Sequence, residues 1–175
     1  MSRHCVFILG DQLLDRRPLI ETAPKGSLVL LVESAARLAS RGYHRHKLIL
    51  LLSAMRHYAA TLRSRGIDAV VIHAESFDAG LRSAIKRYDV VSFSTMAAAE
   101  WGMRTWQEGL EDSLGVPVTV AHNTQFLVGQ YDPNPDPVSM KRYTMEVFYR
   151  SMRAHFNVLL DNGTPCGGVW NLDRE

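Results

Sequence analysis

The stretch that decides the fold is Val6-Phe7-Ile8-Leu9-Gly10-Asp11-Gln12-Leu13, in which an apolar run reaches a glycine and then two polar side chains. A short apolar run without alternation is typical of a strand that is covered on both faces, as in a parallel sheet. Open α/β sheets bind their ligands outside the carboxyl ends of their strands. The stretch therefore predicts a small-molecule pocket at its polar end, without naming the molecule.

Four further apolar runs of the same kind follow, and helical periodicity fills most of the intervals between them. The predicted strands are residues 5–9, 28–32, 69–73, 90–94 and 116–120, and the predicted helices are residues 47–65, 77–87 and 97–114. Strands that alternate with helices form parallel sheets with right-handed crossovers. We therefore predict an α/β, Rossmann-like, doubly wound five-stranded parallel sheet in the order 3-2-1-4-5, flanked by helices, with its switch point beside strand 1.

The last third of the chain has a different pattern. Residues 131–137 contain three prolines and are predicted to form a loop. A fourth helix is predicted over residues 139–160, with residues 161–163 as its cap, and residues 164–175 are predicted to be irregular. We therefore expect an α/β domain over residues 1–163 and the start of a linker over residues 164–175.

Composition and charge exclude several classes of protein. A net charge of +2 is too small to indicate nucleic-acid or membrane binding by bulk attraction. No apolar stretch approaches the roughly 20 residues that span a bilayer, and the amino terminus carries no secretory signal, so we expect a cytoplasmic protein. The two cysteines, Cys5 and Cys166, are too few for an iron–sulfur cluster, which needs about four ligands.

Several familiar catalytic motifs are absent from the sequence. It contains no phosphate-binding loop, no Gly-x-Gly-x-x-Gly after strand 1 and no Gly-x-Ser-x-Gly elbow. A dinucleotide site is therefore poorly supported. No pair of residues is spaced as a nucleophile and its base, and we predict no catalytic residue on this chain alone.

Polar residues after strands 1 and 2 are the candidate ligand contacts. Asp11 and Gln12 either face the pocket or cap the following segment. Glu33 is either solvated or accepts hydrogen bonds from the N–H groups of a heterocycle. The segment 43–47 is either a solvated basic start of a helix or a wall of the same pocket. His44 and His46 are two residues apart and do not share a helix face, so no metal site is predicted.

Five blocks of the sequence, in order and at compatible spacing, resemble the amino-terminal domain of the photolyase-related proteins, the prokaryotic iron–sulfur cryptochromes and (6-4) photolyases. The blocks are residues 8–13, Glu33, residues 53–58, residues 145–153 and residues 167–173. The resemblance implies an antenna domain followed by a helical domain that carries flavin adenine dinucleotide (FAD), a 4Fe-4S cluster and the DNA-repair site. This chain would then be a piece of a longer protein, with that C-terminal FAD domain as its partner and DNA bound through the parent protein.

The resemblance also implies a chromophore, 6,7-dimethyl-8-ribityllumazine, near the ends of strands 1 and 2. Gly10, Asp11, Gln12, Leu13 and Glu33 match the pattern of the family residue by residue. A looser match covers Tyr43, His44 and Lys47, because many relatives have two adjacent histidines where this chain has Tyr43-His44.

We therefore expect a light-harvesting antenna domain that binds a ribityl-lumazine-type chromophore and passes excitation to FAD in the further domain. The parent protein would repair DNA by light or sense blue light. The alternatives are a non-photochemical nucleotide- or metabolite-binding module that uses the same crevice, and a structural module that docks a partner domain.

Overall fold

The computed structural model describes residues 2–15, 18–133 and 144–171. The chain divides into two compact units, Met1–Asn123 and Thr124–Glu175. No helix in the described part of the chain has the length and apolarity needed to cross a membrane.

The first unit alternates strands and helices. Its strands are β1 (Arg3–Ile8), β2 (Leu28–Ser34), β3 (Ala69–Ala74), β4 (Val90–Met96) and β5 (Val118–Ala121). Its helices are α1 (Pro18–Glu21), α2 (Ala35–Ala39), α3 (Arg45–Ser64), α4 (Phe77–Tyr88), α5 (Trp101–Glu108) and α6 (Leu110–Leu114).

All five strands form one parallel sheet in the order β3-β2-β1-β4-β5. The predicted fold class and strand order are confirmed. Every residue of β2 is buried, which explains why its sequence shows no alternation of apolar and polar side chains. The sheet is therefore covered on both faces near its centre.

Successive residues of β1 divide between two cores. Phe7 packs on one face, where its ring meets those of Phe77 and Trp106 at centroid distances of 5.8 Å and 6.2 Å. Val6 and Ile8 pack on the other face against α3. Because neighbouring side chains of a strand point to opposite faces, β1 joins both cores and its carboxyl end is fixed from two sides.

The helix predicted over residues 97–114 is wrong in its bounds. Residues 97–100 are not helical, and the remainder is two helices, α5 and α6, that meet at Gly109. Helix α2 was not predicted. It begins directly after β2, where the Ser34 hydroxyl accepts a hydrogen bond from the backbone N–H of Arg37. Both differences concern short segments that leave the carboxyl ends of strands.

The second unit contains a short 3₁₀ turn (Leu127–Gly129), helix α7 (Met145–Phe156), and a hairpin of β6 (Leu160–Asp161) and β7 (Thr164–Pro165). Helix α7 ends at Asn157, whose φ of 51° is left-handed. The prediction that residues 161–163 cap this helix is wrong. Asn162 and Gly163 have φ values of 49° and 82°, which suit the type I′ turn that joins two strands.

Parts of the predicted loop and fourth helix, residues 134–143, lie outside the described residues. The hairpin includes residues 164 and 165, so an ordered turn and strand occupy the point where an irregular linker was predicted to begin. The expected domain boundary after residue 163 remains a prediction; the first compact unit ends at Asn123.

Gly80 of α4 packs directly against Val32 of β2. A Cβ at this position would lie 2.6 Å and 2.7 Å from the two γ-carbons of Val32. Overpacking of this kind costs about 1–3 kcal/mol, against about 1 kcal/mol gained by alanine in a helix. Because the contact is this close, we expect a net loss, with Gly80→Ala lowering the free energy of unfolding by up to about 2 kcal/mol in urea titrations.

The matched control is Gly102→Ala in α5, where an added Cβ would meet no atom within 4 Å. This variant should be as stable as the parent or more stable. Equal losses in the two variants would contradict the close packing of α4 on β2.

Candidate ligand-binding site

A cavity of about 230 Å³ lies at the carboxyl end of β1 in the first unit. Its walls come from the segments that follow β1, β2 and β4, together with α3 and the first residue of α4. The lining residues are Leu9, Gly10, Asp11, Arg37, Leu38, Tyr43, Lys47, Leu48, Leu51, Phe77, Ala98, Glu100 and Met103. This is the switch point of the sheet, as the strand order predicts.

The cavity has apolar walls and a charged rim. Seven of its thirteen lining residues are apolar: Leu9, Leu38, Leu48, Leu51, Phe77, Ala98 and Met103. At the rim, the Lys47 ammonium lies 4.5 Å from the centre of the Tyr43 ring. Arg37 and Glu100 form an ion pair there. Apolar walls with a few polar groups are the usual construction of a small-molecule site.

Four predicted site residues line this cavity: Gly10, Asp11, Tyr43 and Lys47. Gly10 has a packing reason to be glycine, since an added Cβ would lie 3.0 Å from Met55 Sδ. The absence of a side chain lets the end of β1 lie directly against α3.

The other four predicted residues are not among the residues that line the cavity. Leu13 packs into the core beneath α3. His44 is the N-cap of α3, where its ring nitrogen accepts a hydrogen bond from the His46 N–H at 3.2 Å. Gln12 is buried and donates to the backbone oxygens of Met96 and Ala97, at 3.1 Å and 3.3 Å.

Glu33 is held by an ion pair. Its side chain is 4% exposed, and its two oxygens accept hydrogen bonds from Arg56 at 2.7 Å and 2.9 Å. His73 Nδ1 lies 3.9 Å from the same carboxylate. Two parallel hydrogen bonds to a guanidinium orient a carboxylate strongly. In this structure Glu33 therefore faces α3 and β3, and both of its oxygens are engaged.

Sequence reasoning missed seven of the other lining residues: Arg37, Leu38, Leu51, Phe77, Ala98, Glu100 and Met103. Arg37 and Leu38 belong to α2, which is too short to show periodicity. Ala98 and Glu100 fell within a helix predicted from the pattern of the residues that follow. The signal that could have found them is positional: residues just after β2 and β4 must approach the end of β1, which lies between those strands.

Three side-chain amides fix the segment that follows β4. Gln107 is 1% exposed; it donates to Met96 O at 2.9 Å and accepts from the Ala98 N–H at 2.8 Å. Gln12 donates to the same Met96 oxygen, and Asn123 donates to Ala97 O at 2.8 Å. This segment forms the wall of the cavity opposite α2.

Glu100 is the acidic partner of two arginines at the rim. Its carboxylate pairs with Arg37 and, at 3.3 Å, with Arg41. The hydrogen bond from Arg37 holds the pKa of Glu100 below its ordinary value and raises the pKa of Arg37. The pair is therefore ionised at neutral pH. Across residues 2–15, 18–133 and 144–171, no group of three or more His, Cys, Asp and Glu side chains is placed to hold a metal ion.

Loss of the Gln107 amide should destabilise the first unit. Gln107→Leu removes three hydrogen bonds and leaves the buried Ala98 N–H without its acceptor. An unsatisfied buried polar group costs about 1–3 kcal/mol. We expect the free energy of unfolding to fall by about 2–4 kcal/mol in urea titrations. The exposed Gln130→Leu is the control and should change it by less than about 0.5 kcal/mol; similar effects in both variants would contradict the proposed role of Gln107.

Comparisons with known proteins show the family to which the chain belongs. The chain is 31% identical over 178 residues to a (6-4) photolyase of Agrobacterium fabrum (strain C58 / ATCC 33970). The alignment covers 97% of this chain and 35% of that relative, so the chain spans about a third of the length of the curated relative it matches. The family model for deoxyribodipyrimidine photo-lyase-related proteins matches residues 6–175. The chain therefore belongs to the deoxyribodipyrimidine photo-lyase-related protein family.

Proposed function

We propose that the first unit binds a ribityl-lumazine-type chromophore, 6,7-dimethyl-8-ribityllumazine, in the cavity at the end of β1. The observation that carries this proposal is a largely apolar cavity at the switch point of the sheet, which a few charged and polar side chains also line. A flat heterocycle needs apolar surfaces on its faces, and a ribityl chain needs hydrogen-bonding partners for its hydroxyl groups. Membership of the photolyase-related family supports a photochemical ligand over other flat heterocycles.

The volume of the cavity favours an arrangement in which the ring system of the ligand lies inside and its ribityl chain lies at the rim. A volume of about 230 Å³ suits a bicyclic ring system, and the ribityl chain would then extend to the rim. Leu48 and Leu51 would contact the ring, while Asp11, Tyr43 and Lys47 would bind the hydroxyl groups. Gln12, Leu13, Glu33 and His44 would act indirectly, because they hold the strand ends and α3 in place.

The ligand would make the unit a light-harvesting antenna that passes excitation to FAD in a further domain. The relative is about three times as long as the aligned segment, so there is room in such a protein for a domain with FAD and a 4Fe-4S cluster. That whole protein would repair DNA by light, as the name of the relative indicates for the relative itself, or sense blue light. Energy transfer requires no nucleophile, base or acid from the first unit.

Binding can be tested with the 175-residue chain. Titration of 6,7-dimethyl-8-ribityllumazine, followed by its fluorescence, should give a dissociation constant on the order of 10 μM or tighter. Leu48→Trp fills the cavity and should weaken binding by at least about tenfold. Leu50→Trp on the same helix is the control, since Leu50 is 71% exposed and does not line the cavity. It should leave the dissociation constant unchanged.

Absence of binding at tens of micromolar, or equal effects of the two tryptophans, would contradict this proposal. Thermal shifts with nucleotides and flavins test the alternative of a non-photochemical binding module, because a ligand that binds the folded chain raises its unfolding temperature. A larger shift with any nucleotide than with the lumazine would favour that alternative.

The transfer of excitation needs the longer protein. With both chromophores bound, the action spectrum of flavin photoreduction should contain the absorption band of the lumazine, and Leu48→Trp should remove that band. A spectrum with the flavin bands alone, in protein that retains the lumazine, would contradict an antenna role.

A further inference from the structure

Two segments of the first unit meet through ion pairs at the rim of the cavity. Arg37 belongs to α2, which follows β2, and Glu100 is the N-cap residue of α5, which follows β4. Arg41, two residues beyond the end of α2, lies 3.3 Å from the same carboxylate. The Glu100 side chain makes no capping hydrogen bond to its own helix, and its oxygens are engaged by the two arginines instead.

The order of the strands shows where this contact lies relative to the cavity. Strands β2 and β4 are the two neighbours of β1, one on each side. Arg37 and Glu100 both line the cavity at the end of β1. A contact between the segments that follow β2 and β4 therefore spans the cavity from one flank to the other.

The ion pairs of Glu100 with Arg37 and Arg41 are partly exposed to solvent and can break. The side chains of Arg37 and Glu100 are 35% and 41% exposed, and that of Arg41 is 65% exposed. Exposed ion pairs contribute little stability and are weakened by salt. Asp11 and Tyr43 line the same cavity as Arg37, so the guanidinium has an acidic and a polar side chain nearby when it leaves Glu100.

We propose that Arg37, Arg41 and Glu100 form a strap across the mouth of the cavity, which opens to admit a ligand and closes again behind it. The strap sets the rate at which ligand exchanges, and it does not supply most of the affinity. The identity of the ligand rests on the proposed function, whereas the opening of the strap can be measured in the chain without any ligand.

The first experiment measures opening directly. Ala98 lines the cavity and is 2% exposed, so Ala98→Cys places a thiol behind the strap. Cys166→Ser removes the exposed native thiol. The other native thiol, Cys5, is fully buried, and burial raises its pKa, so Cys5 reacts slowly. The rate at which N-ethylmaleimide labels the introduced thiol then reports the fraction of molecules in which the cavity is open.

Glu100→Gln in this background should label about five-fold faster, because the neutral amide no longer pairs with the two arginines. High salt should accelerate labelling of the parent and leave Glu100→Gln unchanged. Asp68→Asn is the matched control, because it breaks the Arg3–Asp68 pair at the amino end of β1. It should not change the rate.

Equal labelling of the parent and Glu100→Gln, or an acceleration by Asp68→Asn of the same size, would overturn the strap. Leu48→Cys, on α3, is the second reporter if Ala98→Cys does not fold, and circular dichroism checks folding in each variant. If the strap exists, Glu100→Gln should accelerate labelling and Asp68→Asn should not, whether the thiol is at residue 98 or at residue 48.

The second experiment uses the lumazine and stopped-flow mixing. Glu100→Gln should accelerate association and release by similar factors of about five, so that the dissociation constant changes by less than about two-fold. Unchanged release with weaker binding would show that Glu100 contacts the ligand and would overturn the strap. If the lumazine does not bind at all, the proposed function fails, while the labelling rates still decide whether the strap exists.

Discussion

The segment after β4 is the constraint on which the candidate site depends. Beyond the last paired residues of a parallel sheet, backbone groups have no ladder partner and must find hydrogen bonds elsewhere. Gln12, Gln107 and Asn123 supply such bonds to Met96, the last residue of β4, and to Ala97 and Ala98 beyond it. The amides come from the end of β1, from α5 and from the segment after β5, so three parts of the chain converge on one short segment. This segment carries Ala98 into the cavity wall and leads to Glu100 at the rim.

Much of the fold could be predicted from the sequence, because buried parallel strands have a strong local signal. The run at β1 and the fully buried β2 are examples. Helices were less certain where periodicity continued across a break. Apolar residues recur from residue 97 to residue 114, yet one helix ends and the next begins at Gly109. Residues 97–100 are not helical, and the Gln107 amide accepts a hydrogen bond from the Ala98 N–H there. The Asn162-Gly163 turn had a recognisable signal, but it was interpreted as the end of a helix.

A cavity lies where the strand order predicts a pocket, but only part of its lining was predicted. The location of the cavity follows from strand order, which is why Gly10 and Asp11 were found. Side-chain partners that are distant in sequence could not be predicted. Nothing near Glu33 indicates that Arg56, 23 residues away, takes both of its oxygens. Arg37 and Glu100 are 63 residues apart, and their pairing depends on the course of two short segments that carry no periodic pattern.

The pair of Glu33 and Arg56 has an evolutionary consequence. The acid is enclosed in protein, whereas the base that neutralises it lies mostly in solvent. Loss of Arg56 alone would leave the Glu33 carboxylate buried without its partner, which costs more stability than the loss of both charges together. The two positions should therefore change jointly, or the acid should change first. In a double-mutant cycle, substitutions of Glu33 and Arg56 should show strong non-additivity. Arg56 lies on the surface of a helix and looks replaceable, but the buried Glu33 constrains it.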